Sequence, residues 1–471
     1  MNSMKQEQAP KVSVIKMYAA REEIYPREAK GRYATLRWVF VWLTQLIFYG
    51  LPWMSWNDRQ AVLFDLAARK FYIFGIVLWP QDFIYLAVLL IISAYLLFLA
   101  TAVAGRVWCG FACPQTVYTE IFMWIERQIE GSRSARMRLD KQPASFSKVA
   151  RKTAKHAAWA AVALWTGLTF VGYFTPIRVL LQNVMMLSLG PWEWFWILFY
   201  GFATYGNAGW LREQVCKYMC PYARFQSSMF DRDTLIVSYD VKRGEPRGAL
   251  SRKGDARNRR MGDCIDCTMC VQVCPTGIDI RNGLQYDCIG CAACVDACNA
   301  VMNKIGLPDG LIRYTTENAL QDNLSGRQVR ARALRPRILI YTGTLAVIVA
   351  VFFGSLLMRT PLKVDVIRDR GAMGREVEDG LIENVYRLQI MNTAETTHRY
   401  RISVSGIESI RLATPDEVVL EGTASRGMPV KVRIARGNAA PGSNRIEFEL
   451  RSLDGSNVVV KEKAVFIVPR D

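Results

Sequence analysis

"CIDCTMCVQVCP" at residues 264–275 and "CIGCAACVDAC" at residues 288–298 decide the architecture. The first reads C-x2-C-x2-C-x3-C-P, and the second repeats the spacing without the final proline. This is the two-cluster bacterial ferredoxin pattern. Three closely spaced thiolates wrap three corners of a cubane, and the fourth cysteine crosses to the other cluster. The rule assigns Cys264, Cys267, Cys270 and Cys298 to one 4Fe-4S cluster and Cys288, Cys291, Cys294 and Cys274 to the other. Disulfides and structural zinc are the competing uses of eight thiols. Disulfides are disfavoured on a cytoplasmic face, and the repeated spacing with Pro275 favours clusters over zinc. Asn299 stands where the first motif has Pro275. That predicts a different turn after Cys298 with its ligand role kept.

The other four cysteines form two matching pairs, "WCGFACP" at 108–114 and "VCKYMCP" at 215–221. Each follows an apolar run. On a continuous helix, cysteines at i and i+4 share one face. Alternatively, one helix ends near the first cysteine and another starts at Pro114 or Pro221, because proline suits a first helical turn and disfavours helix at the residue before it. Soft thiolates suit Cu(I), zinc or an iron–sulfur centre. The bland reading is burial as small hydrophobes. Burial alone has no need to repeat C-x3-C-P at matching positions, so Cys109, Cys113, Cys216 and Cys220 are candidate redox or metal-binding residues.

The 471 residues are half hydrophobic, with formal net charge +18, yet the mean hydropathy is only +0.08. Membrane segments must therefore alternate with polar domains. Runs long enough to span occur near 38–56, 83–104, 157–175, 192–211 and 338–358, the fourth being weakest. The run at 71–80 is too short and reads as interfacial or re-entrant; 179–194 reads similarly. The N-terminal segment is polar and shows no cleavable signal peptide. Lys and Arg number eight in the first 37 residues, three in 54–82, ten in 105–155, one in 176–191 and twenty in 212–337. This alternation predicts a cytoplasmic N-terminus, both cysteine pairs and the ferredoxin motifs on the cytoplasmic face, and segment 359–471 outside. The basic excess is thus topological, and a nucleic-acid partner is not expected. With only His156 and His398 in the chain, paired-histidine haem ligation is not expected either. Met185 and Met186 are minor candidates for outer copper ligands, and "RGEPRG" at 243–248 reads as a basic loop.

The expected organisation is multi-domain. Residues 1–35 form a cytoplasmic N-terminal segment, and 36–212 hold membrane helices one to four with the first CxxxCP pair. Residues 213–330 carry the second pair and an inserted two-cluster ferredoxin-like domain. A fifth membrane helix covers 336–358. After it, "NVYRLQIMN", "RYRISVSG", "VKVRIARG", "NRIEFELRS" and "VVVKEKAVFIV" alternate at period two. They predict an immunoglobulin-like β-sandwich over 360–471.

At these motifs the chain resembles the CcoG/FixG/RdxA family, the cytochrome c oxidase accessory proteins. The resemblance runs through "YPREAKGRYATLRW", "WCGFACPQTVYTEIFMWIER", "REQVCKYMCPYARFQSSMFDRDTLIVSYDVKRGEPRG" and the whole cysteine-rich stretch. It implies a multi-pass protein of the bacterial inner membrane that reduces Cu(II) to Cu(I) for assembly of a cbb-type oxidase. The eight ferredoxin cysteines would carry electrons from a cytoplasmic donor. Cys109, Cys113, Cys216 and Cys220 would bind or reduce copper as substrate. The periplasmic sandwich would dock copper-delivery or oxidase-assembly proteins, and a homo-oligomer is compatible. The alternatives are a quinol- or ferredoxin-linked membrane relay that handles no copper, and a non-catalytic assembly scaffold. Fold cannot choose among these functions.

Overall fold

The structure, a computed structural model, describes residues 23–249, 261–322, 335–369, 371, 374–377, 380–455 and 458–469. Most of the N-terminal segment read for a signal peptide lies outside the described residues.

Among the described residues, three helices are long and apolar enough to cross a membrane: Arg32–Trp53, Pro80–Ala104 and Pro336–Leu357. Leu90, Ile340 and Val347 point outward from them and are more than half exposed, as lipid-facing side chains would be. The other two expected spans are helices of another kind. Phe146–Val171 opens with Lys148, Arg151, Lys152 and Lys155, and Pro191–Tyr205 runs only 15 residues before a π-helical segment, Gly206–Leu211. Neither qualifies by itself, so about five expected spans become three clear ones. These two helices pack closely on each other. A Cβ on Gly167 would lie 2.3 Å from the Ile197 carbonyl oxygen, so the absent side chain sets their approach.

The helices gather the rest of the chain at two opposite ends. At one end, the Asp296 carboxylate accepts from the amides of Tyr33 (3.2 Å) and Ala34 (2.7 Å), capping the first membrane helix from the cysteine-rich unit. Arg335, before the last membrane helix, pairs with Asp231 and donates to the Ala102 carbonyl. At the other end, the Phe64 amide donates to Tyr173 O (2.7 Å) and Gln60 Nε2 to Gly172 O (2.8 Å). Asp82 there takes Arg359 and Lys363, and Arg59 pairs with Glu395 of the C-terminal domain at 2.8 Å.

Segment 71–80 is not re-entrant. Lys70–Ile73 and Ile76–Leu78 are strands that complete a small antiparallel sheet with Val62–Asp65. The turn passes through Phe74, whose φ is 51°, and Gly75. Aromatic and β-branched residues favour such a strand over a helix. Segment 179–194 divides between the helix Ile177–Met185 and the start of Pro191–Tyr205.

The C-terminal domain is the expected sandwich. One sheet runs Arg411–Leu412, Ser425–Ala435, Leu381–Asn392, Leu362–Arg368; the other runs Glu417–Leu420, His398–Ser405, Gly442–Ser452, Val459–Val468. Between them lie Tyr386, Leu388, Ile390, Tyr400, Ile402, Val432, Phe448, Leu450 and Phe466, all fully buried. One face also holds a buried charge. Glu383 takes Arg433 at 2.7 Å and Arg375 Nε at 3.0 Å. Burial opposes its ionisation, but the two arginines outweigh that and hold the carboxyl below its usual value. A depressed folded value contributes stability above the ordinary glutamate pKa of about 4.3 and loses it as pH falls through the folded value. Glu383→Gln is expected to cost about 2 kcal/mol at pH 7 and to flatten the acid limb of β-sheet unfolding followed by circular dichroism. An unchanged acid limb would contradict this role.

Candidate metal centre

The two ferredoxin-type loops share one backbone. Asp266 and Thr268 have φ of 51° and 56°; Gly290 and Ala292, at the equivalent positions, have 69° and 56°. Left-handed backbone at non-glycine residues costs about 1–3 kcal/mol each and persists where the surroundings impose it. Here it turns successive amides inward, making the kind of nest found at iron–sulfur sites. The Gly290 and Ala293 amides face the Cys288 and Cys291 thiols and favour their ionised forms. Cys298 sits inside the helix Ala293–Ile305, which continues through Asn299. Asn299 Oδ1 accepts from the Gly310 amide at 3.0 Å, so the missing proline does change the path after Cys298.

All twelve cysteines are free thiols, and they sort into three neighbourhoods. Burial, then the nearby Cys270, Cys267 and Cys264, pushes Cys298 up to about 12. Burial pushes Cys288 up to about 12 with Cys291 and Cys274 beside it, and Cys294 is raised among Cys291, Cys288 and Cys274. Cys298 thus lies among the cysteines of the first loop, and Cys274 among those of the second. The third neighbourhood joins the CxxxCP pairs. Burial raises Cys109 to about 12 with Cys113 and Cys216 nearby. It raises Cys216 to about 11 with Cys113 and Cys220 nearby.

Among the described residues no three Cys, His, Asp or Glu side chains are close enough to share a single metal ion. Tetrahedral zinc with sulfurs at 2.3 Å needs them about 3.8 Å apart. Sulfurs on the corners of a cubane stand wider. The donor chemistry and the matching loop backbone of the two four-thiol sets fit a cluster.

The CxxxCP pairs adopt the second of the two geometries considered. Val107–Phe111 is a short helix, Cys113 is extended (φ −60°, ψ 130°), and Pro114 starts the helix Pro114–Glu130. Val215–Met219 is π-helical, Cys220 is extended (φ −78°, ψ 111°), and Pro221 starts Pro221–Met229. Buried ions hold the two motifs in register. Glu126 takes Arg136 (2.9 Å) and Arg212 (3.1 Å), and Lys155 takes Glu130 (3.0 Å). Gln115 Nε2 reaches the carbonyls of Asn207 and Arg212.

The first CxxxCP turn rests directly on the second ferredoxin loop. A Cβ on Gly110 would lie 2.7 Å from Gly290 O and 2.9 Å from Cys291 Cα. Cys109 and Cys216 pack into one apolar cluster with Val273, Ile289, Cys291 and Cys294. Arg106, 7% exposed, donates to the carbonyls of Tyr286, Cys288 and Ala223. Gln226, fully buried, accepts the Cys109 thiol through Oε1 at 3.5 Å, and its Nε2 has no hydrogen-bond partner.

Sequence reasoning had not singled out Arg106, Gly110, Gln226 or Asp296; each acts through a contact with a remote segment. It also read 243–248 as a basic loop. In the structure Gly248 N donates to Cys264 O (3.2 Å), and Arg243 anchors to Asp263 and the Asp309 carbonyl, so this segment holds the first cysteine loop. His156 hydrogen-bonds Tyr205 and stacks on Trp210. Met185 and Met186 are three-quarters exposed, on a segment at the sandwich end.

Thiol sets in ferredoxin loops, joined to apolar helices, define a membrane iron–sulfur protein. The comparisons agree. Residues 211–317 match a family described as a 4Fe-4S dicluster domain, 86–131 a 4Fe-4S binding domain, and 352–469 the "IG-like fold at C-terminal of FixG". The nitrogen fixation protein FixG of Rhizobium meliloti is 38% identical over 86% of this chain and 83% of its own. Protein RdxB of Cereibacter sphaeroides is 38% identical over 94% and 95%, and RdxA of that organism 39% over 88% and 87%. A crystal structure of a FixG-related protein from Vibrio parahaemolyticus aligns at 20% identity and TM-score 0.22, over 23% of this chain and 98% of that one. The chain belongs to the FixG/RdxA family.

Replacing Gly110 by Val must force the two loops apart. Overpacking of this kind costs about 1–3 kcal/mol. Gly110→Val is expected to lower the thermal midpoint of the full chain in detergent by several degrees. Gly343→Ala, where a Cβ meets nothing within 4 Å, serves as the control. Equal midpoints for the Val variant and the wild type would contradict the contact.

Proposed function

We propose that the chain is a membrane electron-transfer protein that reduces Cu(II) to Cu(I) for assembly of a cbb-type cytochrome c oxidase. One observation carries the electron-transfer part: the three thiol neighbourhoods lie in series. Cys267 is the solvent-exposed end. Cys270 stands beside Cys294, and Cys294 with Cys291 packs against Cys109 and Cys216 at the membrane boundary.

In this reading Cys264, Cys267, Cys270 and Cys298 hold one 4Fe-4S cluster, and Cys288, Cys291, Cys294 and Cys274 hold the second. Bound clusters supply one-electron carriers whose potential follows charge, hydrogen bonds to sulfur and solvent exposure. The chain sets all three. The Gly290 and Ala293 amides face sulfur, Arg106 adds positive charge beside Cys288, and the apolar shell of Val273, Ile289 and Ala297 excludes water. The exposed Cys267 edge receives a cytoplasmic donor. At the far end Cys109, Cys113, Cys216 and Cys220 are where Cu(II) takes up one electron and becomes Cu(I). Copper as the acceptor is supported by the family and by the preference of Cu(I) for soft donors.

The ferredoxin unit and the CxxxCP pairs face the cytoplasm and the sandwich faces the periplasm, supported by the basic-residue alternation and by their positions at opposite helix ends. Helices Phe146–Val171 and Pro191–Tyr205 complete five spans with their neighbours. The sandwich docks copper-delivery or oxidase-assembly proteins.

A quinol-linked relay is the second reading. It is favoured by a cavity of about 410 Å³ lined by Lys155, His156, Trp159, Trp210 and Glu213, three residues from Cys216. Chemically reduced full chain is expected to form Cu(I), read with a Cu(I)-specific chelator. Changing Cys109, Cys113, Cys216 and Cys220 together to Ser should slow this at least tenfold. A wild-type rate in that variant would remove the membrane thiols from the reaction. Bound quinone, quinol-dependent reduction and no reaction with copper would favour the relay.

A further inference from the structure

We infer that a cavity at the ferredoxin end of the first membrane helix binds the phosphate headgroup of an anionic phospholipid. The site is separate from the thiol series and does not depend on what accepts the electrons.

The first ground is charge. The cavity, of about 440 Å³, is lined by Arg27, Lys30, Arg37, Arg127 and Arg136 against two acids, Glu28 and Glu120. Neither acid closes on its basic neighbour. Arg127 stands 3.6 Å from Glu28, and Arg37 Nε stands 3.9 Å from Glu120, both longer than a hydrogen bond. The wall therefore carries a surplus of positive charge.

The second ground is buried donors. Arg37 and Arg136 are 6% and 2% exposed, and the Nε of each has no hydrogen-bond partner. Arg136 uses its other two nitrogens on Glu126 and the Pro26 carbonyl. Buried cationic donors are costly to leave open. A phosphate brings several charged acceptor oxygens, and the guanidinium group is shaped to meet them. The helix N-terminus is not itself the site, because Asp296 already accepts from the Tyr33 and Ala34 amides. Side chains from separate segments make it instead: Arg37 from the first membrane helix, Arg127 from Pro114–Glu130 and Arg136 from Arg133–Lys141.

The third ground is position, which favours a lipid over free phosphate. Trp38 lines the cavity and meets Trp124 edge to face, with ring centroids 6.4 Å apart. Trp124 is itself exposed. Tryptophans gather at the headgroup level of a bilayer. Leu36, Val39 and Leu43 on the same helix are exposed, as residues beside acyl chains are. Basic pockets between membrane helices are a recurring form of headgroup site. Val273 and Pro275, on either side of Cys274, and Ala293, next to Cys294, complete the lining. A bound headgroup would thus pin the second thiol set to the membrane surface.

The test is native mass spectrometry on delipidated full chain in detergent, titrated separately with phosphatidylglycerol, phosphatidylcholine of the same acyl chains, and inorganic phosphate. Wild type is expected to bind one phosphatidylglycerol about tenfold more tightly than phosphatidylcholine. The double variant Lys30→Gln with Arg127→Gln should lose that preference and keep the cluster signals in electron paramagnetic resonance (EPR). The charge-keeping pair Lys30→Arg with Arg127→Lys should retain it. Arg27→Gln, at an exposed side chain, should weaken phosphatidylglycerol about fivefold by itself, so the inference stays testable even where the double variant loses its clusters. Equal affinity for the two lipids in the wild type overturns the inference, as does a preference that survives in both Gln variants. Inorganic phosphate bound as tightly as phosphatidylglycerol, and lost in the same variants, overturns the lipid headgroup in favour of a soluble phosphate.

Discussion

One buried guanidinium holds the thiol series together. Arg106 is nearly inaccessible, and its donors reach carbonyls on two remote segments, Tyr286 and Cys288 in the cysteine-rich unit and Ala223 in the helix after the second CxxxCP pair. Burying an arginine is expensive unless its donors are satisfied. Those carbonyls come together only when the first hairpin, the second hairpin and the second ferredoxin loop are assembled. Arg106 lies three residues before Cys109, so satisfying it sets the Gly110 turn on Gly290 and Cys291. The first membrane helix is tied to the same unit through Asp296, and Arg335 ties the last one to Asp231 and to the Ala102 carbonyl of the second membrane helix. The soluble-type ferredoxin fold is thereby fixed to the ends of the helices.

The burial of so many thiols has a consequence for assembly. Burial drives Cys109, Cys288 and Cys298 up to about 12 and Cys270 to about 11. Metal binding at such sites releases protons and couples to folding. The left-handed residues Asp266, Thr268 and Ala292 add backbone strain at the same loops.

Much of this was legible in the sequence because the chemistry imposes local spacing. The eight ferredoxin cysteines follow from x2, x2, x3, and the crossing of Cys274 and Cys298 is part of the same rule. The strands of the sandwich were legible because one face of each is buried, which forces alternation in stretches such as Asn384–Asn392. The span count was not. Phe146–Val171 joins a basic half to an apolar half, and hydropathy alone cannot say where a helix like that stops crossing lipid. The strands within 71–80 were read as an apolar run too short to span and hence interfacial or re-entrant. Gly110, Arg106 and Gln226 were invisible for a different reason. Their partners lie more than 100 positions away, and a glycine in WCGFACP gives no sign that a carbonyl of residue 290 sits above it.

The central claim is that the exposed ferredoxin end, the second thiol set and the membrane thiols work as one electron path ending on copper. Freeze-quench EPR on fully reduced full chain mixed with one equivalent of Cu(II) tests it most directly, because the Cu(II) and reduced-cluster signals are read in the same sample. The expected result is that both signals decay together, one spin of reduced cluster lost for each Cu(II). A Cu(II) signal that persists while the clusters stay reduced would contradict the claim.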